Sequence, residues 1–301
     1  MTTRPRAWAL NLEAEAELED PSARTPSRAR ADKARLFVGR MGPLIPPGDE
    51  VLLFHEDAAR CDGMAGRAWC PTPGAFDLLR KAGADLPDAP PFAVLRRVNH
   101  RRFCAELGQT MEGARYVTTR EGLDEALAGP TVTGSFLLKR PYGFSGRGRL
   151  RAPGAKATNE RPLDDAGRRW IEGSLAGGEG LQVEPWVDIT ADFGIHGHLS
   201  KGGELVRGEP TKQRCDAKGA WLHSRRASAG ELSTSELDQL LAAFAETGEA
   251  LRAAGYFGPF GVDAFRYRGA GGAEVFQPRG EINARYSMGW ATGMGRERPD
   301  L

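Results

Sequence analysis

Cysteine is scarce and scattered: the four thiols of this 301-residue chain, Cys61, Cys70, Cys104 and Cys215, form no CxxC and have no histidines at zinc-finger spacing. A disulfide framework and a structural zinc site are thereby excluded, and buried thiols in a reducing compartment are expected. No apolar run approaches the roughly 20 residues that span a bilayer, and charges punctuate the chain from Arg4 onward. The expectation is a cytoplasmic protein without a membrane partner. An excess of either charge is missing too, since 41 basic residues face 40 acidic ones for a net of +1. No bulk field favours nucleic acid, so any cationic site must be local. Lysine is rare, with seven among the basic residues. A lysine at a strand end beside glycines therefore stands out. The P-loop GxxxxGK[ST], the dinucleotide fingerprint GxGxxG and any internal repeat are absent, as is a convincing Ser-His-Asp or Cys-His set.

Glycine is abundant instead, at 39 residues without a period, which implies many tight turns and not a collagen-like or low-complexity chain. The length allows two or three compact units at about 100 to 200 residues each.

Residues 7–19, AWALNLEAEAELE, alternate small or apolar with acidic residues and fit either a half-exposed strand or a helix. Val51–Phe54 reads as a short strand and Phe76–Ala82 as a helix. The run DLPDAPP at 85–91 is the best linker, so residues 1–90 are expected to form a small N-terminal α/β unit. Asn99–Leu107 and Glu121–Leu127 read as helices flanking an extended Arg115–Thr118. Helix is again expected at Asp164–Leu175. Extended segments follow at Leu181–Ile189, Asp192–Ser200 and Glu204–Arg214, the last two joined by a Lys201-Gly202-Gly203 hairpin. A helix over Ser235–Ala254 has a capping box in Ser233 and Glu236, an apolar face in Leu237, Leu240, Leu241, Phe244, Gly248 and Leu251, and a stop in Gly255. Strands at 261–267 and 273–285 close the pattern.

Two stretches carry chemistry. The first, FLLKRPYGFSGRGRLR at 136–151, runs from an apolar segment ending in Lys139 through Gly143, Gly146 and Gly148 into a second extended segment. Glycines let successive backbone N–H groups converge on an anion, so this hairpin tip suits a polyphosphate. A flexible turn with solvated arginines, or a nucleic-acid contact through Arg147, Arg149 and Arg151, are the competing readings. The second stretch is EINAR. Glu281, Asn283 and Arg285 are two residues apart and project from one strand face, with Ile282 and Ala284 on the other. A carboxylate, an amide oxygen and a guanidinium suit magnesium beside a phosphate, and Asp263 on the preceding strand would complete the set.

The ordered series FLLK, GFSGRG, VEPWV, ADFGI, GVDAF and EINAR resembles the ATP-grasp superfamily over about Asn99 to Gly289. The resemblance implies an α+β ATP-grasp fold, two α+β subdomains at 91–187 and 188–301 clasping the nucleotide. It implies ATP and Mg2+ as cofactors, with Mn2+ as a substitute. Lys139 would contact phosphate, and the backbone of Phe144, Ser145, Gly146, Arg147 and Gly148 would fold over it. Glu184 would accept from the adenine amino group, Trp186 and Val187 would reach the adenine edge through their backbones, and Asp192 would hold the ribose. Asp263, Glu281 and Asn283 would bind metal, Arg285 the transferred phosphoryl group or the substrate, and Lys212 the γ-phosphate. Where the family has a first lysine this chain has Arg101, and Pro278-Arg279-Gly280 predicts a kink before Glu281. The implied activity is ligation of a small-molecule or peptide carboxylate to an amine or thiol. A phosphotransferase on the same fold and a non-catalytic nucleotide- or nucleic-acid-binding protein are the alternatives. His196 and His198 share a strand face and read as polar sheet residues or substrate contacts. Arg168-Arg169 and Arg225-Arg226 read as solvated, the latter pair also suiting an anionic substrate.

Overall fold

The computed structural model describes residues 4–22, 34–35, 37–39, 44–53, 60–108, 110–143, 148–155, 157, 162–216 and 221–301. Residues 7–19 divide between the two conformations their composition allows. Strand β1 (Arg6–Ala9) is buried along its whole length between β2 (Glu50–Leu52) and β3 (Ala65–Ala68) in a parallel sheet, while α1 (Ala14–Glu19) is helical. Helix α2 (Pro73–Ala82) starts earlier than expected, because Thr72 Oγ1 accepts from the Ala75 N–H and Pro73 fits the first turn.

The segment expected as one helix over Asn99–Leu107 is two, α3 (Phe92–Asn99) and α4 (Arg101–Ala105). His100, with ψ of 130°, breaks the run and caps α4 through its side chain. A four-stranded antiparallel sheet follows in the order β4 (Arg115–Val117), β7 (Leu181–Pro185), β5 (Ser135–Lys139), β6 (Arg149–Pro153). Helices α5 (Arg120–Leu127) and α6 (Asp165–Ala176) cover its apolar face. There Leu123, Ile171, Phe136, Leu138, Leu181 and Val183 make a separate core. Alternation along β5 and β7 then turns Lys139, Gln182 and Glu184 to the other face.

The largest sheet runs β11 (Trp221–Arg226), β10 (Thr211–Cys215), β8 (Asp188–Leu199), β12 (Gly258–Arg268), β13 (Glu274–Asn283), with β9 (Leu205–Arg207) also on β8. Helix α7 (Thr234–Ala253) packs on one face with the expected capping box. Phe244 of α7 stacks on Phe260 at 4.9 Å and 11°, and a Cβ on Gly197 would lie 2.5 Å from the Phe244 ring. Only glycine fits there. The kink expected at Pro278-Arg279-Gly280 is present, since Asp263 pairs with Glu281 but Phe265 with Gln277, which leaves three residues of β13 opposite Ala264. Strand β11 was not among the sequence expectations. It is a polar, mostly exposed edge strand without alternation. The short helix α8 (Trp290–Met294) follows the last strand, and its Trp290 joins Trp8, Tyr286 and Phe193 in one core shared by the N-terminal sheet and the largest sheet.

Candidate functional site

The face of the largest sheet opposite α7 carries Asp192, Gly194 and His196 on β8. Thr211 and Gln213 on β10, Gly261 and Asp263 on β12, and Glu281 and Asn283 on β13 share it, by strand register. Asp263 and Glu281 are direct cross-strand partners. Gln213 Nε2 donates to Asp263 Oδ1 at 3.0 Å and Asn283 Nδ2 donates to Oδ2 at 2.9 Å. Burial, then the nearby Glu281 charge, push the Asp263 carboxyl up to about 6 against those two hydrogen bonds. Burial raises Glu281 as well, but Arg101, Arg149 and Lys139 outweigh it and hold that carboxyl at about 2.

Facing this set is the polar side of the four-stranded sheet. Lys139 Nζ lies 2.5 Å from Glu184 Oε2, with both side chains about nine-tenths buried, and Gln182 Nε2 donates to Glu184 Oε1 at 2.6 Å. Burial lowers the Lys139 pKa, with Glu184 acting against it. Arg101 of α4 joins the two sides. Its Nε donates to the Arg140 carbonyl at 3.1 Å, its Nη2 to the Gly143 carbonyl at 3.3 Å, and its Nη1 lies 3.0 Å from Glu281 Oε2. Nη1 makes that ion contact without an aligned hydrogen bond. Beside the cluster is a small pocket lined by Cys104, Met111, Gln182, Glu184, Phe265 and Gln277.

The donor set fits a hard divalent cation. Among the described residues no group of three or more His, Cys, Asp or Glu side chains could hold a metal. Two carboxylates and an amide, however, match the way Mg2+ is held with substrate phosphates supplying the remaining oxygens. A cation there would offset the burial that, with the neighbouring Glu281 charge, raises Asp263.

Three groups of sequence-derived candidates fare differently. Asp192, Asp263, Glu281 and Asn283 share one face of the largest sheet, Lys139 and Glu184 share the polar face of the four-stranded sheet, and burial raises the Asp192 carboxyl, opposed by Arg149. Phe144, Ser145, Gly146 and Arg147 lie outside the described residues. Gly148 closes the hairpin between β5 and β6 with φ of 68°, its carbonyl accepting from Arg140 N–H at 2.8 Å. Two expectations need correction. Strand β13 ends at Asn283, so alternation does not extend to Arg285. Its buried guanidinium forms an ion pair with Glu15 of α1 and lies over the Trp69 ring. Lys212 pairs in register with Phe193 and so projects from the α7 face, where Nζ lies 2.8 Å from Glu231. The backbone of Trp186 is also engaged, its N–H donating to Ser135 O at 2.9 Å and its carbonyl accepting from Thr133 Oγ1 at 2.7 Å. Val187 lies between β7 and β8, half-buried. Sequence reasoning missed Gln182, Gln213 and Arg149 as members of the cleft. For Gln182 the available signal was its two-residue spacing from Glu184 on one strand, whereas Gln213 and Arg149 meet Asp192 and Lys139 only through cross-strand register.

No family model matches the sequence, and none of the curated proteins does. Solved structures do. N5-carboxyaminoimidazole ribonucleotide synthetase from Thermus thermophilus superposes with a TM-score of 0.50 at 18% identity, over 93% of this chain and 71% of that one. The D-alanyl-alanine synthetase A of Vibrio cholerae O1 biovar eltor gives 0.52 at 12% identity, over 94% and 89%. The carboxyaminoimidazole ribonucleotide synthase of Aspergillus clavatus, complexed with ATP, gives 0.50 at 12% identity, over 95% and 72%. The chain has the ATP-grasp fold. It is similar in architecture to these synthetases across nearly its whole length. Among the described residues no helix is long and apolar enough to cross a membrane.

Proposed function

We propose that this protein is an ATP-dependent ligase that activates a substrate carboxylate for attack by an amine or thiol. The observation that carries the reading is the facing of Lys139 and Glu184 on one sheet toward Asp263, Glu281 and Asn283 on another. They are close enough that Lys139 and Glu281 shift each other's ionisation. Met111, Phe265 and Glu184 line one pocket, where the base of a nucleotide would be received and Glu184 would accept from its exocyclic amine. Lys139, Arg101 and Arg149 would balance the phosphate charge, and Asp192 the ribose. Asp263, Glu281 and Asn283 would hold Mg2+, with Gln213 fixing the orientation of Asp263. When bound, Mg2+ supplies charge neutralisation and alignment of the phosphoryl oxygens.

Transfer of the γ-phosphoryl group to a carboxylate oxygen would leave ADP and an acylphosphate. Attack of the amine nitrogen on the acyl carbon then expels phosphate and forms the amide. The residues of the cleft bind, orient and exclude water, and no protein nucleophile is required. The fold neighbours include a D-alanyl-alanine synthetase, whose name describes such a product.

The test is ADP release from MgATP with hydroxylamine as the amine and a panel of carboxylic acids. Carboxylate-dependent hydroxamate formation together with ADP supports the ligase. ADP release giving a phosphorylated hydroxyl product and no hydroxamate overturns it.

A further inference from the structure

His196 lies at the centre of the largest sheet and is fully buried, yet it meets no charged partner. The backbone makes room for it. A Cβ on Gly261 would come within 2.8 Å of the ring, and one on Gly289 or Gly293 within 2.7 Å, so the imidazole fills space that glycine alone leaves. Burial lowers its pKa to about 3, and the ring is neutral. A neutral imidazole has one donor and one acceptor.

The hydrogen-bond network assigns them. Thr211 Oγ1 lies 3.1 Å from the Gly194 carbonyl and 3.2 Å from His196 Nε2. The carbonyl can only accept, so the threonine hydrogen goes there, and Thr211 Oγ1 accepts from Nε2–H. His196 Nδ1 is then an acceptor, and its partner at 3.1 Å, Ser287 Oγ, must donate to it. The reverse tautomer would set the threonine oxygen against the Gly194 carbonyl with no proton between them.

Ser287 is half-buried and follows the metal-ligand strand by four residues. Its Oγ lies 3.3 Å from the place a Cβ on Gly261 would occupy, and Gly261 is the cross-strand partner of Asn283. The hydroxyl therefore lies over the same sheet face that carries Asn283, with its hydrogen committed to His196 and its lone pairs left to accept. The neighbouring cation, Arg285, is neutralised by Glu15. This end of the cleft suits a group that donates N–H, not an anion.

We propose that Ser287 receives the amine of the acceptor substrate, with His196 and Thr211 as the positioning residues that turn its oxygen toward that amine. The assignment rests on the ligase reading for its substrate class, but its test needs no nucleotide. The nucleotide-free full chain is labelled with 15N-histidine and titrated with methylamine hydrochloride, with tetramethylammonium, equally charged but without N–H, as control. His196 should show a protonated Nε2 and an unprotonated Nδ1 from about pH 5 to 8. Methylamine should move the Nδ1 resonance saturably and tetramethylammonium should not. Ser287→Ala should weaken that response about tenfold or more, the loss of one charge-assisted hydrogen bond, and Ser287→Thr, which keeps the hydroxyl, should restore most of it. A protonated Nδ1, a response to methylamine that does not saturate or is unchanged in Ser287→Ala, or an equal response to both cations overturns the proposal. Failure of nucleotide binding in a separate titration would count against the ligase reading and leave this result standing.

Discussion

Arg101 Nη1 lies 3.0 Å from Glu281 Oε2, so a helix that precedes the four-stranded sheet is tied to the last strand of the largest one. The same guanidinium holds the Arg140 and Gly143 carbonyls at the base of the glycine hairpin. One buried cation thus fixes the distance between the hairpin and the candidate metal carboxylate.

Removing that cation takes from the half-buried Glu281 carboxylate the largest of its three compensating charges, leaving Arg149 and Lys139. Arg101→Ala is expected to lower stability by about 3 kcal/mol or more. Thermal unfolding with and without MgADP measures it. The variant should gain more from MgADP than the wild type does, because the added cation relieves Glu281.

Lys139 and Lys212 were both candidates for phosphate, and the structure separates them by face. Lys139→Ala should weaken nucleotide binding at least about tenfold, as expected for loss of a charge-assisted contact. Lys212→Ala should leave it unchanged, since that side chain pairs with Glu231 on the α7 side. Equal losses in a calorimetric titration would contradict the register of β10 on β8.

Asn283→Ala should keep the fold but remove the Mg2+ dependence of nucleotide binding, because Asn283 both orients Asp263 and supplies an amide oxygen. Binding that still strengthens with Mg2+ to the wild-type extent would remove the metal assignment.

Glu236 is held by the Arg266 guanidinium through hydrogen bonds of 2.8 Å from both Nε and Nη2, and it closes the cap of α7. These partners, Arg266 foremost, lower its carboxyl to about 2. A depressed folded-state pKa contributes stability that is complete above the ordinary value of about 4.3 and is lost as the pH falls toward the folded value. Glu236→Gln should therefore cost about 1–2 kcal/mol at neutral pH and progressively less as the pH falls through that window. Denaturant midpoints at several pH values check the sign.

Much of this site was legible in the sequence where the signal was local. Helix α7 announced itself through Ser233, Glu236 and Gly255, and the two-residue spacing of Glu281 and Asn283 put both on one face as soon as that stretch was read as a strand. The ends of elements were not legible. Arg285 leaves the face because β13 stops at Asn283, and its partner Glu15 is 270 residues away in sequence. Lys212 faces α7 because β10 pairs with β8 in a register that only tertiary packing sets. The two conformations of residues 7–19 follow from where β1 is buried, since alanine and glutamate permit both. Gln182 and Gln213 carried no motif, and each acts by holding a carboxylate that did.

The central claim is a nucleotide site completed by Mg2+, and calorimetric titration of the full chain with a non-hydrolysable ATP analogue, with and without Mg2+, tests it most directly. Saturable binding that tightens about tenfold or more with Mg2+ is the predicted result, equivalent to about 1.4 kcal/mol or more of coupling. Absence of saturable binding, or an affinity indifferent to Mg2+, would contradict the account.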